Sequence, residues 1–184
     1  MSKSILAGFA LTLSLLAGCS PGAQAEPSRP TPAPEFTGIA NWLNAPPQTI
    51  AGLKGKVVLV EFWTYSCINC IHVLPHVKQW DQRYRDQGLV VIGVHTPEYG
   101  EERSTANVKR AIERFGIAYP VAQDNEYATW NAYGNRFWPA LYLIDREGRI
   151  VHRHYGEGDY EATEQRIREL LANTPLATAK SAAR

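Results

Sequence analysis

Cysteine is scarce in this chain. Its 184 residues hold three, at positions 19, 67 and 70, too few for a disulfide scaffold. An excess of one charge sign is missing as well. Nineteen Lys and Arg stand against 18 Asp and Glu, a formal net charge of +1. That balance argues against a nucleic-acid partner, whose broad binding face needs a basic excess. The apolar run Ile5 to Leu16 has only twelve residues, short of the roughly 20 a membrane-spanning helix needs. Internal repeats are absent. What is present suits one ordinary folded domain with appendages. Apolar residues make up 45% and charged residues 20%, enough to fold around a core. Five Trp and nine Tyr can fill that core or line a groove.

The first residues do not belong to the fold. Met1 to Ser4 carries one Lys ahead of the apolar run, the pattern of an export signal rather than of a core helix. Two cleavage sites compete. Leu16-Ala17-Gly18-Cys19 resembles the bacterial lipobox and would leave Cys19 lipidated at a new N-terminus. Ala23-Gln24-Ala25 fits ordinary signal cleavage and would leave a soluble periplasmic protein. The first is favoured because it directly follows the apolar run. Either way only Cys67 and Cys70 remain as thiols, and loss of Lys3 brings the charge to zero. The expected organisation is a signal over 1–18, a Pro-rich linker over 19–35, a folded domain over 36–173 and a flexible tail over 174–184. Five prolines lie between Ser20 and Glu35, a semi-extended spacer composition. Behind a lipid anchor such a spacer would hold the domain off a membrane, facing the periplasm within the cell envelope.

Inside the domain, Lys56–Trp63 is a nearly continuous β-branched and aromatic run, as in a strand buried on both faces. From Cys70 to Gln87, Ile71, Leu74, Val77, Trp80 and Tyr84 recur near helical spacing, and Gly88 ends the segment. Leu89–Thr96 reads as a second strand, Ser104–Phe115 as a helix and Pro120–Gln123 as a short strand. Asn125–Tyr133 reads as a short helix. Ala140–Asp145 and Arg149–Tyr155 flank a turn and form a hairpin. Tyr160–Ala172 closes as an amphipathic helix. The early strand–helix–strand units predict parallel strands, and the hairpin adds antiparallel ones at one side. The fold class is α/β, a three-layer sandwich around a mixed sheet.

Cys67-Ile68-Asn69-Cys70 follows the buried strand and opens the helix, the setting of a redox motif. Free amides and the helix dipole favour a thiolate on the first cysteine, and the thiolate is the nucleophile of thiol–disulfide exchange. The second lies close enough to resolve a mixed disulfide. A zinc site would need two further ligands. His72 and His76, four apart, are too close behind Cys70 for the usual spacing and read as helix-surface histidines. His95, at a strand end, reads as a solvated loop residue in preference to one approaching the active site. Pro75 removes one donor within the first helix.

These residues carry a resemblance. Glu61-Phe62-Trp63 begins six residues before Cys67, Pro75 follows Cys70 by five, and Trp138-Pro139 precedes a later strand. The pattern resembles the thioredoxin superfamily. The extra helix and strand before the hairpin are similar to the TlpA-type insertion of exported TlpA/ResA oxidoreductases. Phe62 to Cys70 and Gly93-Val94-His95-Thr96-Pro97-Glu98 resemble the thioredoxin-like module of DipZ-type proteins. The resemblance spans about Phe36 to Asn173. It implies that Cys67 attacks and Cys70 resolves. It implies that Glu61 is a buried acid able to take the Cys70 proton. It implies that Trp138-Pro139 is a cis bond presenting backbone to a substrate strand. Tyr65, Ile68, Phe137 and Trp138 are candidates for an apolar rim suited to protein disulfides. No cofactor is called for. DipZ joins its module to a membrane domain, so a separate membrane electron donor of the CcdA/DsbD type is the expected partner. Members of the family in this compartment usually act as reductants.

Two other chemistries fit parts of the motif. Thr64-Tyr65-Ser66-Cys67 matches half of a peroxiredoxin signature, although Val60 stands where its proline belongs. A peroxidase would form a sulfenic acid on Cys67. A copper carrier would use both thiolates and a histidine.

Overall fold

A computed structural model describes residues 30–172. The export signal, Cys19, the first part of the linker and the tail from residue 174 lie outside the described residues. The central strand β3, Val57–Trp63, is buried along its whole length, as its β-branched and aromatic composition predicts. Alternation divides its side chains. Val57, Leu59 and Trp63 enter one core layer, and Val58, Val60 and Phe62 enter the other. Glu61 therefore falls on the Leu59–Trp63 side. Helix α1, Ile68–Tyr84, covers that side with Cys70, Val73, Leu74, Val77, Trp80 and Tyr84. Pro75 lies inside it. A 3₁₀ turn, Arg85–Gln87, continues to Gly88, whose φ of 104° only glycine adopts freely.

Strand β4, Leu89–His95, runs parallel to β3 with Glu61 opposite Gly93. A 3₁₀ turn at Gly100–Arg103 leads into helix α2, Thr105–Phe115. Strand β5, Val121–Gln123, is parallel to β4. Helix α3, Ala128–Ala132, is shorter than the stretch expected from Asn125. Its amide groups Thr129 and Trp130 donate to the Asp124 carboxylate, at 3.2 and 2.8 Å. The helix N-cap is Tyr127, whose left-handed backbone at φ 59° ends the preceding turn and puts the helix start after it. The hairpin of β6, Ala140–Ile144, and β7, Arg149–Tyr155, lies antiparallel beside β3. Helix α4 spans Tyr160–Ala172 and contributes Ile167 and Leu171 to the α1 layer.

Two strands carry no signal in the sequence. Strand β1, Thr31–Pro32, pairs with β7, and β2, Asn41–Leu43, pairs with β5. The seven strands form one mixed sheet in the order β1-β7-β6-β3-β4-β5-β2. The linker expected to run through Glu35 thus joins the sheet at Thr31. Glu35 itself accepts the Ile50 and Ala51 amides at 2.7 and 2.8 Å, bonds that proline-rich composition alone does not announce. Phe36, Ile39 and Trp42 pack on the second core layer beside Trp130 and Tyr133. The result is three layers: α1, α2 and α4, then the sheet, then α3 with the N-terminal segment.

Phe62 is fully buried at the centre of an aromatic cluster with Trp130, Tyr133 and Tyr142, ring centroids 5.4–5.7 Å apart. Phe62→Ala should lower unfolding stability by about 3–5 kcal/mol. Denaturant titration checks this, and a loss below about 1 kcal/mol would contradict the packing.

Candidate active site

Strand β3 ends at Trp63, and four residues later the chain enters α1 through Cys67. Cys67 is the N-cap, with extended backbone at φ −71° and ψ 114°. Its Sγ accepts the Cys70 amide at 3.3 Å, taking one of the free donors of the first turn. Both cysteines are free thiols, Cys67 half-buried and Cys70 buried. Their environments split their acidities. A hydrogen bond from the Cys70 thiol is the largest influence holding Cys67 down at about 7, against an ordinary 9.0. Burial and the Glu98 charge oppose it, while the Cys70 and Asn69 amides assist. Burial first, then the proton shared with Cys67, push the Cys70 thiol far above its ordinary value, and the Glu61 charge adds to this.

Glu61 has no exposed surface. Burial pushes its carboxyl from 4.5 up to about 8, while a hydrogen bond from Tyr119 pulls the other way. The Tyr119 hydroxyl donates to Oε2 at 2.9 Å, and Oε1 has no partner among the described residues. Glu61 lies buried on the side of the sheet that α1 and Cys70 cover.

The Trp138-Pro139 peptide is cis. Pro139 directly precedes β6, whose Ala140 pairs with Phe62, so it stands at the same end of the sheet as the Cys67 loop. Asn135, itself bonded by the Tyr142 hydroxyl at 3.0 Å, donates to the Phe137 carbonyl at 3.0 Å. Gly156 N–H donates to the Pro139 carbonyl at 2.9 Å.

The four rim candidates divide. Ile68, next to Cys67 in the chain, and Phe137, next to Trp138, are 60% and 52% exposed. Tyr65 and Trp138 are half-buried and tied inward. Tyr65 stacks on His95 at 5.6 Å, and the Trp138 indole packs on Trp130 and donates to the Thr96 carbonyl at 3.1 Å.

His95 departs from the expectation of a solvated loop residue. It is completely buried, and burial lowers it to about 4 from 6.5. Its Nε2 lies 3.3 Å from the Thr64 hydroxyl. Glu102, which the sequence does not signal, is likewise buried. It accepts the Ser66 hydroxyl at 2.5 Å and the Glu98 and Tyr99 amides at 2.6 and 3.0 Å. Burial alone would raise its carboxyl. Hydrogen bonds from Ser66, Thr64 and those amides outweigh it and hold the group below its ordinary value. Glu102 thereby staples the loop after β3 to the loop after β4. His72 is exposed and meets Glu157 at 3.2 Å, and His76 stacks on Tyr160.

A nucleophilic thiol at a helix mouth, a buried partner thiol and an enclosed acid on a mixed sheet define a thiol–disulfide oxidoreductase of thioredoxin-like fold. The chain belongs to the Redoxin family, whose model matches residues 30–171. It is 53% identical over 159 residues to the protein DipZ of Mycobacterium bovis, covering 85% of this chain and 23% of that protein. It is 31% identical over 143 residues to the thiol-disulfide oxidoreductase YkuV of Bacillus subtilis, covering 78% of this chain and 96% of that one. A solved thiol-disulfide isomerase from Corynebacterium glutamicum superposes with a TM-score of 0.70 at 28% identity, covering 77% and 98% of the two chains. This chain thus spans about a quarter of DipZ and nearly all of YkuV.

The Glu61 shift has a sign that stability measurements can read. Between the unfolded value near 4.5 and the folded value of about 8, the unfolded carboxyl is ionised and the folded one keeps its proton. Folding takes up that proton, so stability is fully present below the window and is lost as pH rises through it. Relative to Glu61→Gln, which cannot titrate, the wild type should lose about 1.4 kcal/mol per pH unit from about pH 5.5 to 7.5. Equal slopes from chemical denaturation would show that Glu61 is ionised at neutral pH.

Proposed function

We propose that this protein reduces disulfides of partner proteins in the cell envelope. The observation that carries this is the split between the two thiols: an accessible Cys67 held near neutrality and a buried Cys70 held protonated on the Glu61 side. The Cys67 thiolate attacks a substrate disulfide, forming a mixed disulfide and releasing one substrate thiolate. Glu61 in its carboxylate form, the minority form below about pH 8, then takes the Cys70 proton. The resulting Cys70 thiolate attacks Cys67 Sγ, which closes the intramolecular disulfide and frees the second substrate thiolate. The substrate gains two electrons and the protein loses two. A membrane electron donor of the CcdA/DsbD type returns them in our reading.

Protein substrates fit better than small charged ones. Ile68, next to Cys67 in the chain, and Phe137 offer exposed apolar surface, and in this reading the Trp138 backbone, just outside the β6 ladder, pairs with an extended substrate segment. The export signal and the lipobox ending at Cys19 supply the envelope location and the lipid anchor in this reading. Among the described residues no helix is long and apolar enough to cross a membrane. The peroxidase alternative rests on Thr64. That hydroxyl is buried and engaged by His95 and Glu102, which favours the reductase.

Cys67→Ser should abolish reduction of a peptide disulfide by the pre-reduced protein, followed by thiol release. Cys70→Ser should accumulate mixed disulfides with envelope proteins, visible as adducts on non-reducing gels. Full activity of Cys67→Ser would sink the reading. In membrane fractionation, Cys19→Ala should move the protein from the membrane to the soluble fraction; unchanged partitioning would remove the anchor from it.

A further inference from the structure

Tyr119 belongs to no recognised motif, yet it is the sole hydrogen-bond partner of the Glu61 carboxyl group among the described residues. It is 2% exposed and lies between α2 and β5. Three features fix its ring there. The Asn44 side-chain amide donates to the Ile117 and Tyr119 carbonyls, both at 3.0 Å. The Gly93 amide donates to the Pro120 carbonyl at 2.9 Å. Gly93 itself is opposite Glu61 in the sheet, and its missing side chain makes the approach possible. A Cβ there would stand 3.1 Å from Tyr119 Cε2 and 3.0 Å from Trp63 Nε1. The ring passes over a bare stretch of β4 to reach the acid on β3.

We propose that Tyr119 is a positioning residue of the redox reaction: its hydroxyl grips Oε2 of Glu61, favours the ionised carboxylate, and leaves Oε1 to receive the Cys70 proton. This rests on the reading of Glu61 as proton acceptor. The chemistry follows from the donor set. An enclosed carboxylate with no hydrogen bond is the least stable form of an acid. One O–H donor stabilises the ionised form without neutralising it, so the group still binds a proton when Cys70 releases one. The other titratable groups on this side leave that role to Tyr119. From α1 come Cys70, which is the proton source, and Asp81, whose charge acts on Tyr119 and raises it. From the loop comes Cys67. From β4 comes His95, neutral above about pH 4. None supplies a cation to Glu61, whose shift is governed by burial and by Tyr119.

The test uses the full chain, pre-reduced, in single-turnover reaction with a fluorogenic peptide disulfide across pH. The rate of the resolving step should rise through a limb set by Glu61. Tyr119→Phe removes only the hydroxyl. A hydrogen bond to a charged group is worth enough to move that limb up by about one pH unit, with a roughly tenfold slower rate below it and an unchanged plateau above. The pH profile of Cys67 alkylation should stay where it is, a readout that general loosening of the site would move. Gly93→Ala, which keeps the hydroxyl but crowds the ring, should shift the limb in the same direction. Glu61→Gln should erase the limb, and adding Tyr119→Phe to it should cost nothing more. If Glu61→Gln erases the limb but Tyr119→Phe leaves it in place, the role of Tyr119 is overturned and the acid stands. Tyr119 loses its role in the same way if Tyr119→Phe slows the reaction equally in the Glu61→Gln background. If Glu61→Gln keeps the limb, the acid itself is misassigned and Tyr119 falls with it.

Discussion

A carboxyl group sealed inside the central sheet is the constraint on which this site depends. Glu61 sits between Val60 and Phe62 on a strand with no exposed residue. Removing a carboxylate from water costs several kcal/mol, and a single Tyr119 hydroxyl offsets only part of that. Around neutral pH the group is therefore mainly protonated, with the carboxylate as the minority form. Cys70 shares the same enclosed layer and ionises with difficulty for the same reason. Cys67 also meets a burial penalty, but at the helix mouth a hydrogen bond from the Cys70 thiol, assisted by the Cys70 and Asn69 amides, outweighs it. One thiol can attack while the other waits, and the difference comes from position rather than from residue type.

The loops at this end of the sheet keep that difference in register. The Thr96 amide donates to the Trp63 carbonyl at 3.1 Å, continuing the β3–β4 pairing past the strands. The Trp138 indole closes on the same residue's carbonyl, which ties the Pro139 loop to the β4 loop. Glu102 ties the β4 loop to Ser66. Three segments far apart in the chain are thus linked by hydrogen bonds, two of them part-buried side-chain bonds, a support that helps a reactive group keep its geometry. Exposed apolar surface remains at this end of the sheet, on Ile68 next to Cys67 in the chain and on Phe137 next to Trp138. A rigid frame with an apolar rim binds a partner segment while losing little ordering entropy of its own.

Much of this was legible in the sequence because local patterns encode it. The β-branched run of β3, the periodic face of α1 and the Cys-x-x-Cys at their junction each follow from short-range rules. The cis Trp138-Pro139 bond and the burial of Glu61 followed from resemblance. The rest depends on contacts that no short window contains. Tyr119 and Glu102 act across 58 and 36 residues of chain, through a register set by the whole sheet. His95 misleads because a polar residue ahead of Thr96-Pro97 resembles a strand leaving for solvent. In the fold, the Tyr65 ring stacks on it. Strands β1 and β2 have two and three residues, too few to show alternation, and they exist because β7 and β5 offer edges to pair with.

The two buried glutamates show why burial alone does not identify a chemical role. Glu61 and Glu102 are the same residue type and equally hidden from solvent. Glu61 has one donor, and burial wins: its carboxyl rises to about 8. Glu102 has the Ser66 and Thr64 hydroxyls and the Glu98 and Tyr99 amides, and the donors win: it stays below its ordinary value. A carboxylate so fully satisfied has no reason to accept a proton near neutral pH, so it serves as a staple. A carboxylate left with an open oxygen, beside a thiol that must lose its proton, has both the capacity and the neighbour for proton transfer. Glu61 is also the more deeply enclosed of the two, so donor count and depth together separate the acids.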